Sequence, residues 1–189
     1  TDTRLPGFTP EFLFSVDSPG NEYIEAGSSH GLIHVGIMRG DGTVQMIQRL
    51  AEIPTDMHWC GESARLCWTT SSRGKLSCWD YPGGPVLELD VGDSPRAFCF
   101  SSPDHVAGIS RAGAEIFGAD VENMTMEWQL DSPGPMKDIE CGDGDELILI
   151  EDMWAFENQV ETTLVLKLIE AGEVMDTEEI EVIFYRQMP

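Results

Sequence analysis

The sequence predicts an all-β chain built from repeated four-stranded units, and three observations carry that expectation. Asp-Ser-Pro recurs at Asp17-Ser18-Pro19, Asp93-Ser94-Pro95 and Asp131-Ser132-Pro133, on a 38-residue grid with one slot, at Thr55-Asp56, spelled differently. Short runs rich in Val, Ile, Phe, Trp and Thr are broken by Gly, Pro, Asp or Ser about every 8 to 12 residues, the pattern of strands between turns. No segment carries a long stripe of helical period. A repeat of this length with four short strands per unit predicts the blade of a β-propeller.

Taken in order, the first unit, 20–52, offers strands at Tyr23 to Ala26, Leu32 to Ile37 and Thr43 to Ile47, with a fourth ending near Leu50. The second, 53–91, has Met57 to Cys60, Ala64 to Thr69, Lys75 to Trp79 and Pro85 to Val91, with Ser71 to Gly74 as a hairpin tip. The third, 92–131, has Ala97 to Phe100, His105 to Ile109, Ala114 to Phe117 and Met124 to Leu130. The fourth, 132–170, has Met136 to Cys141, Glu146 to Ile150, Trp154 to Asn158 and Thr163 to Ile169. Two strands remain: 12–16, which aligns with the fourth strand of a blade, and 178–186, which alternates apolar and polar residues. Residues 1–189 are therefore expected to form one propeller domain. Either the chain is an arc of a larger ring, completed for example by a second chain, or the two terminal strands share a fifth blade. The arc fits better, because a closed five-bladed ring of 189 residues needs an unusually short last blade.

A hydrophobic content of 41% excludes wholesale disorder, and the apolar runs fall far short of the roughly 20 residues of a membrane helix. The formal net charge is −23, and residues 138–189 hold 15 acids against Lys167 and Arg186 alone. Such a field repels nucleic acid and anionic lipid, so neither is an expected partner, whereas a basic protein is. Five cysteines, an odd number, argue against a complete disulfide framework and favour an intracellular, reducing compartment over a secreted one. Cys60, Cys99 and Cys141 lie in apolar strand patterns and are expected to act as small hydrophobes. Cys67 and Cys78 flank a hairpin, where a cross-strand bridge fits.

The stretch Gly74-Lys75-Leu76-Ser77-Cys78-Trp79-Asp80, then Gly83-Gly84 and Pro85 to Leu89, then Ser94 to Asp104, resembles the junction of two WD40 repeats, with Trp79-Asp80 at the name-giving dipeptide. Elsewhere the likeness is loose: Ile47-Gln48, Phe117-Gly118 and Phe156-Glu157 stand at that place, and the family's Gly-His dipeptide is missing. A second resemblance, to the repeats of the regulator of chromosome condensation and of a β-lactamase-inhibitor propeller, rests on Ile24 to Leu32, Asp41-Gly42-Thr43-Val44 and Ile139 to Gly142. Both resemblances imply a propeller that binds proteins; the first implies a scaffold within a larger assembly.

Sites of chemistry are sparse. Of the four histidines, His30 and His34 share a face if extended, but no Cys-x-x-Cys or His-Glu-x-x-His spacing accompanies them, so neither a metal nor any other cofactor is expected. Gly61-Glu62-Ser63-Ala64-Arg65 lacks the second glycine of a nucleophile elbow. Asp143-Gly144-Asp145-Glu146 reads as a turn. Trp59, Trp68 and Trp79 read as core and inter-blade packing. Arginine carries the sharper pattern. Arg39, Arg73 and Arg111 each fall in the hairpin between the second and third strands of successive units, just before Gly42, Gly74 and Gly113, and Arg96 lies in a connection on the same rim. They are the candidate binding residues, with forked hydrogen bonds to an acidic peptide as their chemistry and surface ion pairs as the plainer role. No catalytic residue is identified. The expected function is a non-catalytic protein-interaction scaffold that uses rim loops; an inhibitor docking on another enzyme is the alternative, and a propeller hydrolase or lyase a more distant one.

Overall fold

The structure, a computed structural model, describes all residues except 1, 2, 5–8, 16–21, 30, 31, 42, 71, 73, 94, 111, 112, 132–135, 142–145, 157, 158, 171, 172 and 186–189. The described residues fold into four antiparallel sheets. The first contains β1 (Thr3–Arg4), β2 (Thr9–Ser15), β3 (Tyr23–Ser29), β4 (Leu32–Met38) and β5 (Thr43–Leu50), in the order β1-β5-β4-β3-β2. The second is β6 (Asp56–Cys60), β7 (Arg65–Thr70), β8 (Lys75–Asp80) and β9 (Leu87–Asp90); the third is β10 (Ala97–Ser102), β11 (His105–Ser110), β12 (Glu115–Asp120) and β13 (Thr125–Asp131). The fourth is β14 (Met136–Cys141), β15 (Glu146–Phe156), β16 (Gln159–Glu170) and β17 (Glu173–Tyr185). Among the described residues there is no helix long and apolar enough to cross a membrane.

Burial along the strands explains the composition of each. Every residue of β7, Arg-Leu-Cys-Trp-Thr-Thr, is buried, because a middle strand of a blade is covered on both faces by neighbouring blades. The outer strand β13 alternates exposed and half-buried positions through all seven residues, with Met126, Trp128 and Leu130 turned inward. Three apolar clusters lie between successive sheets. Ile24, Ala26, Val35, Ile37 and Leu50 pack on Met57, Leu66, Trp68 and Trp79. Cys67, Leu76, Cys78 and Val91 pack on Phe98, Val106, Phe117 and Ala119. Ala97, Cys99, Ala107, Ile109 and Ile116 pack on Met136, Ile139 and Leu147. Burying a side chain such as Phe98 or Phe117 is worth about 1.5–3 kcal/mol, so the blades are held chiefly by their faces.

Units two and three match the sequence expectation strand for strand; units one and four do not. Tyr81 directly follows the third strand of its blade, and its hydroxyl donates to Glu22 Oε2 at 2.5 Å, immediately before β3. Ser72, between β7 and β8, donates its backbone N–H to Glu52 Oε1 at 2.6 Å, just past β5. β3 therefore begins on the lower rim, where first-to-second and third-to-fourth strand loops lie. β5 ends on the upper rim, with the second-to-third hairpins and the connections to the next blade. Hence β2 to β5 are the first to fourth strands of blade one, and Tyr23 opens its second strand rather than its first. In the last sheet β15 runs to Phe156, pairing Glu151 and Asp152 with Thr163 and Thr162, so Trp154 to Phe156 of the expected third strand belong to the second; 157 and 158 lie outside the described residues. The terminal segments do not share a fifth blade: β2 pairs with β3, and β17 pairs with β16.

Two disulfides are present. Cys67 and Cys78 sit opposite each other on β7 and β8 and are bonded, as their hairpin placement suggested. Cys99 and Cys141 are bonded as well, which corrects their expected role as separate small hydrophobes. They lie on the first strands of blades three and four, whose side-by-side packing brings their Cα atoms to 5.6 Å. Cys60 is the free cysteine.

Candidate functional site

The arginine pattern separates once the strands are placed. Arg39 lies between the third and fourth strands of its blade, on the lower rim, and is half-buried; its Nε donates to Glu22 Oε1 and its Nη2 to Gln45 Oε1, both at 3.3 Å. Arg96 is exposed in the connection from blade two to blade three, on the upper rim, with its backbone N–H donated to Ile109 at 3.0 Å. Arg39 and Arg96 therefore face opposite ways. Arg73 and Arg111 lie outside the described residues.

The glycines that made the pattern have a structural cause. Gly74 (φ +61°) and Gly113 (φ +98°) both occupy left-handed backbone, and a Cβ on either would collide with backbone ahead, 2.6 Å from the Gly92 oxygen in the connection after β9 and against the Met136 oxygen at the start of β14. Each lets a second-to-third hairpin settle on the connection that enters the next blade. Asp41 in turn accepts hydrogen bonds from the Thr43 backbone N–H at 2.9 Å and hydroxyl at 2.7 Å, ordinary hairpin chemistry for Arg39-Gly40-Asp41. Ser63 is tied by its hydroxyl to the Pro103 carbonyl at 2.9 Å, the neighbouring blade's equivalent loop. The acidic turn at 143–146 lies almost wholly outside the described residues.

The side chains that do converge are on the first strands, the inner edge of each sheet. Asp56 opens β6 and bridges to β10: Oδ2 accepts the Phe98 N–H at 2.9 Å, while Oδ1 accepts the Met57 N–H at 2.9 Å. His58, two residues on and on the same face of the strand, places Nε2 3.1 Å from Asp56 Oδ2 and meets Phe98 edge-on, with ring centroids 4.9 Å apart. Asp138 and Glu140, exposed on β14, are close enough for their charges to act on the imidazole. Burial pulls the His58 pKa down, but the hydrogen bond to Asp56 and the charges of Asp56, Glu140 and Asp138 outweigh it, leaving the pKa above the ordinary histidine value. The result is an anionic inner face around one imidazole, suited to a cation. The sequence carries Asp-x-His in β6 and Asp-x-Glu in β14, but only the tertiary structure lets the charges of Asp138 and Glu140 act on His58.

The lower rim of blade two is built around Arg65, which is buried. Its Nε donates to Asp80 Oδ1 at 2.7 Å, and its Nη1 reaches Asp104 Oδ1 of the next blade at 3.3 Å. Those bonds raise its already high pKa. Trp68 and Trp79 are buried in the inter-blade core, as expected, and Trp59 is half-buried edge-on to Tyr81 at 6.2 Å.

No protein-family model matches the sequence, and no curated protein does. Among solved structures the chain is similar to a chain of the mitotic checkpoint complex, with a TM-score of 0.63 and 10% identity over 92% of this chain and 53% of that one. It is also similar to a chain of a nidogen/laminin complex, with a TM-score of 0.54 and 12% identity over 87% of this chain and 78% of that one. The chain thus spans about half the length of the checkpoint-complex chain it matches. Both neighbours are propeller-type, and the fold of this chain is propeller-like.

Proposed function

We propose that this chain is a non-catalytic protein-interaction module whose anionic inner face takes a basic segment of a protein partner. The observation that carries this function is the Asp56 carboxylate bonded to His58, with the charges of Glu140 and Asp138 acting on the same imidazole, in a chain of net charge −23. A surface of one sign concentrates the field and speeds capture of an opposite charge. The WD40-like junction adds support for a scaffold, since Trp79 is a core residue and Asp80 binds Arg65 across the same blade. Arg39 lies apart from Arg96, and Arg73 and Arg111 lie outside the described residues, so the acidic face rather than the arginine rim carries the reading. The second disulfide favours an oxidising compartment over the reducing one suggested by the cysteine count.

The test is binding of a short arginine-rich peptide by calorimetry. D138K/E140K, at two exposed positions, is expected to weaken binding at least tenfold and to flatten its salt dependence. E62K/E122K, the same charge change on exposed lower-rim loops, is expected to leave most of the affinity. Equal losses in the two variants would reduce the effect to net charge and overturn the assignment. A propeller hydrolase or lyase has one observation in its favour, His58 held by Asp56. It demands turnover of a substrate that H58Q abolishes, where the interaction module demands capture without turnover.

A further inference from the structure

We propose that His105, Asp120 and Glu127 form a site for a zinc-class divalent cation on the lower rim of the third blade, away from the inner face. His105 opens β11, Asp120 closes β12 directly opposite it, and Glu127 lies on the adjacent β13, so three neighbouring strands deliver one ligand atom each. Those atoms all lie within 4.8 Å of one another. Zinc bonds to nitrogen and oxygen of about 2.0–2.2 Å in a tetrahedron place ligand atoms roughly 3.3 Å apart. The His105 Nε2 to Glu127 Oε1 distance is 3.3 Å, so one edge of that tetrahedron is already set. Rotation of the exposed Glu127 carboxylate closes the rest.

Neighbouring groups orient the ligands as metal sites require. Ser102 Oγ stands 3.0 Å from His105 Nδ1, and a Nδ1–H donated there leaves the Nε2 lone pair facing the two carboxylates. Asp120 Oδ1 accepts the N–H groups of Glu122 at 2.9 Å and Asn123 at 2.8 Å, while Oδ2 accepts Asn123 Nδ2 at 2.7 Å and keeps a second lone pair for a cation. Two carboxylates and one imidazole suit zinc or a neighbouring first-row ion. Calcium and magnesium prefer more oxygens. The partial exposure of all three leaves a fourth position for water.

The test uses the full chain stripped of metal, in a C60S background so that the one free thiol does not compete. Zinc titration by calorimetry is expected to show one equivalent. Cobalt is expected to give a visible spectrum that zinc abolishes. H105A and E127Q are each expected to weaken binding at least tenfold with far-UV circular dichroism unchanged. D120N, which keeps the turn acceptor and removes the charge, is expected to weaken it as well. Absence of binding in the parent chain, binding unchanged in both H105A and E127Q, or displacement by equimolar calcium would each overturn the site. If H105A alone disturbs the fold, E127Q on the solvent-facing outer strand decides the matter.

Discussion

At the scale of single residues, His58 shows how a side chain acquires properties its sequence neighbours do not announce. Asp56, two positions away on the same strand face, was legible as a partner; Asp138 and Glu140 were not, because they arrive through packing of another blade. A histidine whose pKa is raised on folding contributes stability fully below its unfolded pKa and loses it as pH rises through the folded one. Wild type should therefore exceed H58Q in stability at about pH 5.5, and the gap should shrink by about pH 9. Urea unfolding at the two pH values measures this, and a gap that widens with pH would refute the charge environment described for His58. Arg39 teaches a different lesson. Its hairpin was readable from Arg-Gly-Asp-Gly, yet its rim was not, because miscounting one strand in a blade sends every later hairpin of that blade to the opposite rim.

At the scale of strands and their cross-links, the two disulfides divide along the same line. Cys67 and Cys78 are separated by 11 residues and face each other within one hairpin, so turn position alone suggests their bridge. Cys99 and Cys141 are separated by 42 residues and belong to different blades, which no local pattern reveals. Loop-closure entropy assigns roughly 3 kcal/mol to the shorter link and roughly 4 to the longer. C99A/C141A is therefore expected to lower the free energy of unfolding more than C67A/C78A, and to do so by loosening blade three from blade four. Chemical denaturation of both double variants provides the comparison; a larger loss in C67A/C78A would contradict it. The strands of blade four show where local patterning misled. Strands are expected to part between Glu146 to Ile150 and Trp154 to Asn158, but the pairing of Glu151 and Asp152 with Thr163 and Thr162 carries β15 straight through.

For the whole molecule, charge and packing pull in opposite directions. Thirty-four acids against eleven Lys and Arg residues repel one another in any compact state, while three inter-blade apolar clusters hold it together. Salt from about 10 to about 150 mM cuts the screening length from roughly 30 to roughly 8 Å. The melting temperature is expected to rise over that range, as self-repulsion fades faster than the buried Arg65 pairing. Calorimetry at the two salt concentrations checks it, and a falling melting temperature would mean that ion pairs outweigh the net charge.

The sequence by itself determined the fold class and nearly every strand of the middle two blades, and it made room for the hairpin disulfide, because strand alternation and turn chemistry act over a few residues. Tertiary structure alone decided which rim each loop occupies, that both terminal strands serve existing blades, that Cys99 meets Cys141, and which charges gather at the inner edge and around His105. Those outcomes depend on contacts between residues tens of positions apart, where strand counting and blade-on-blade packing, rather than local preference, set the distance.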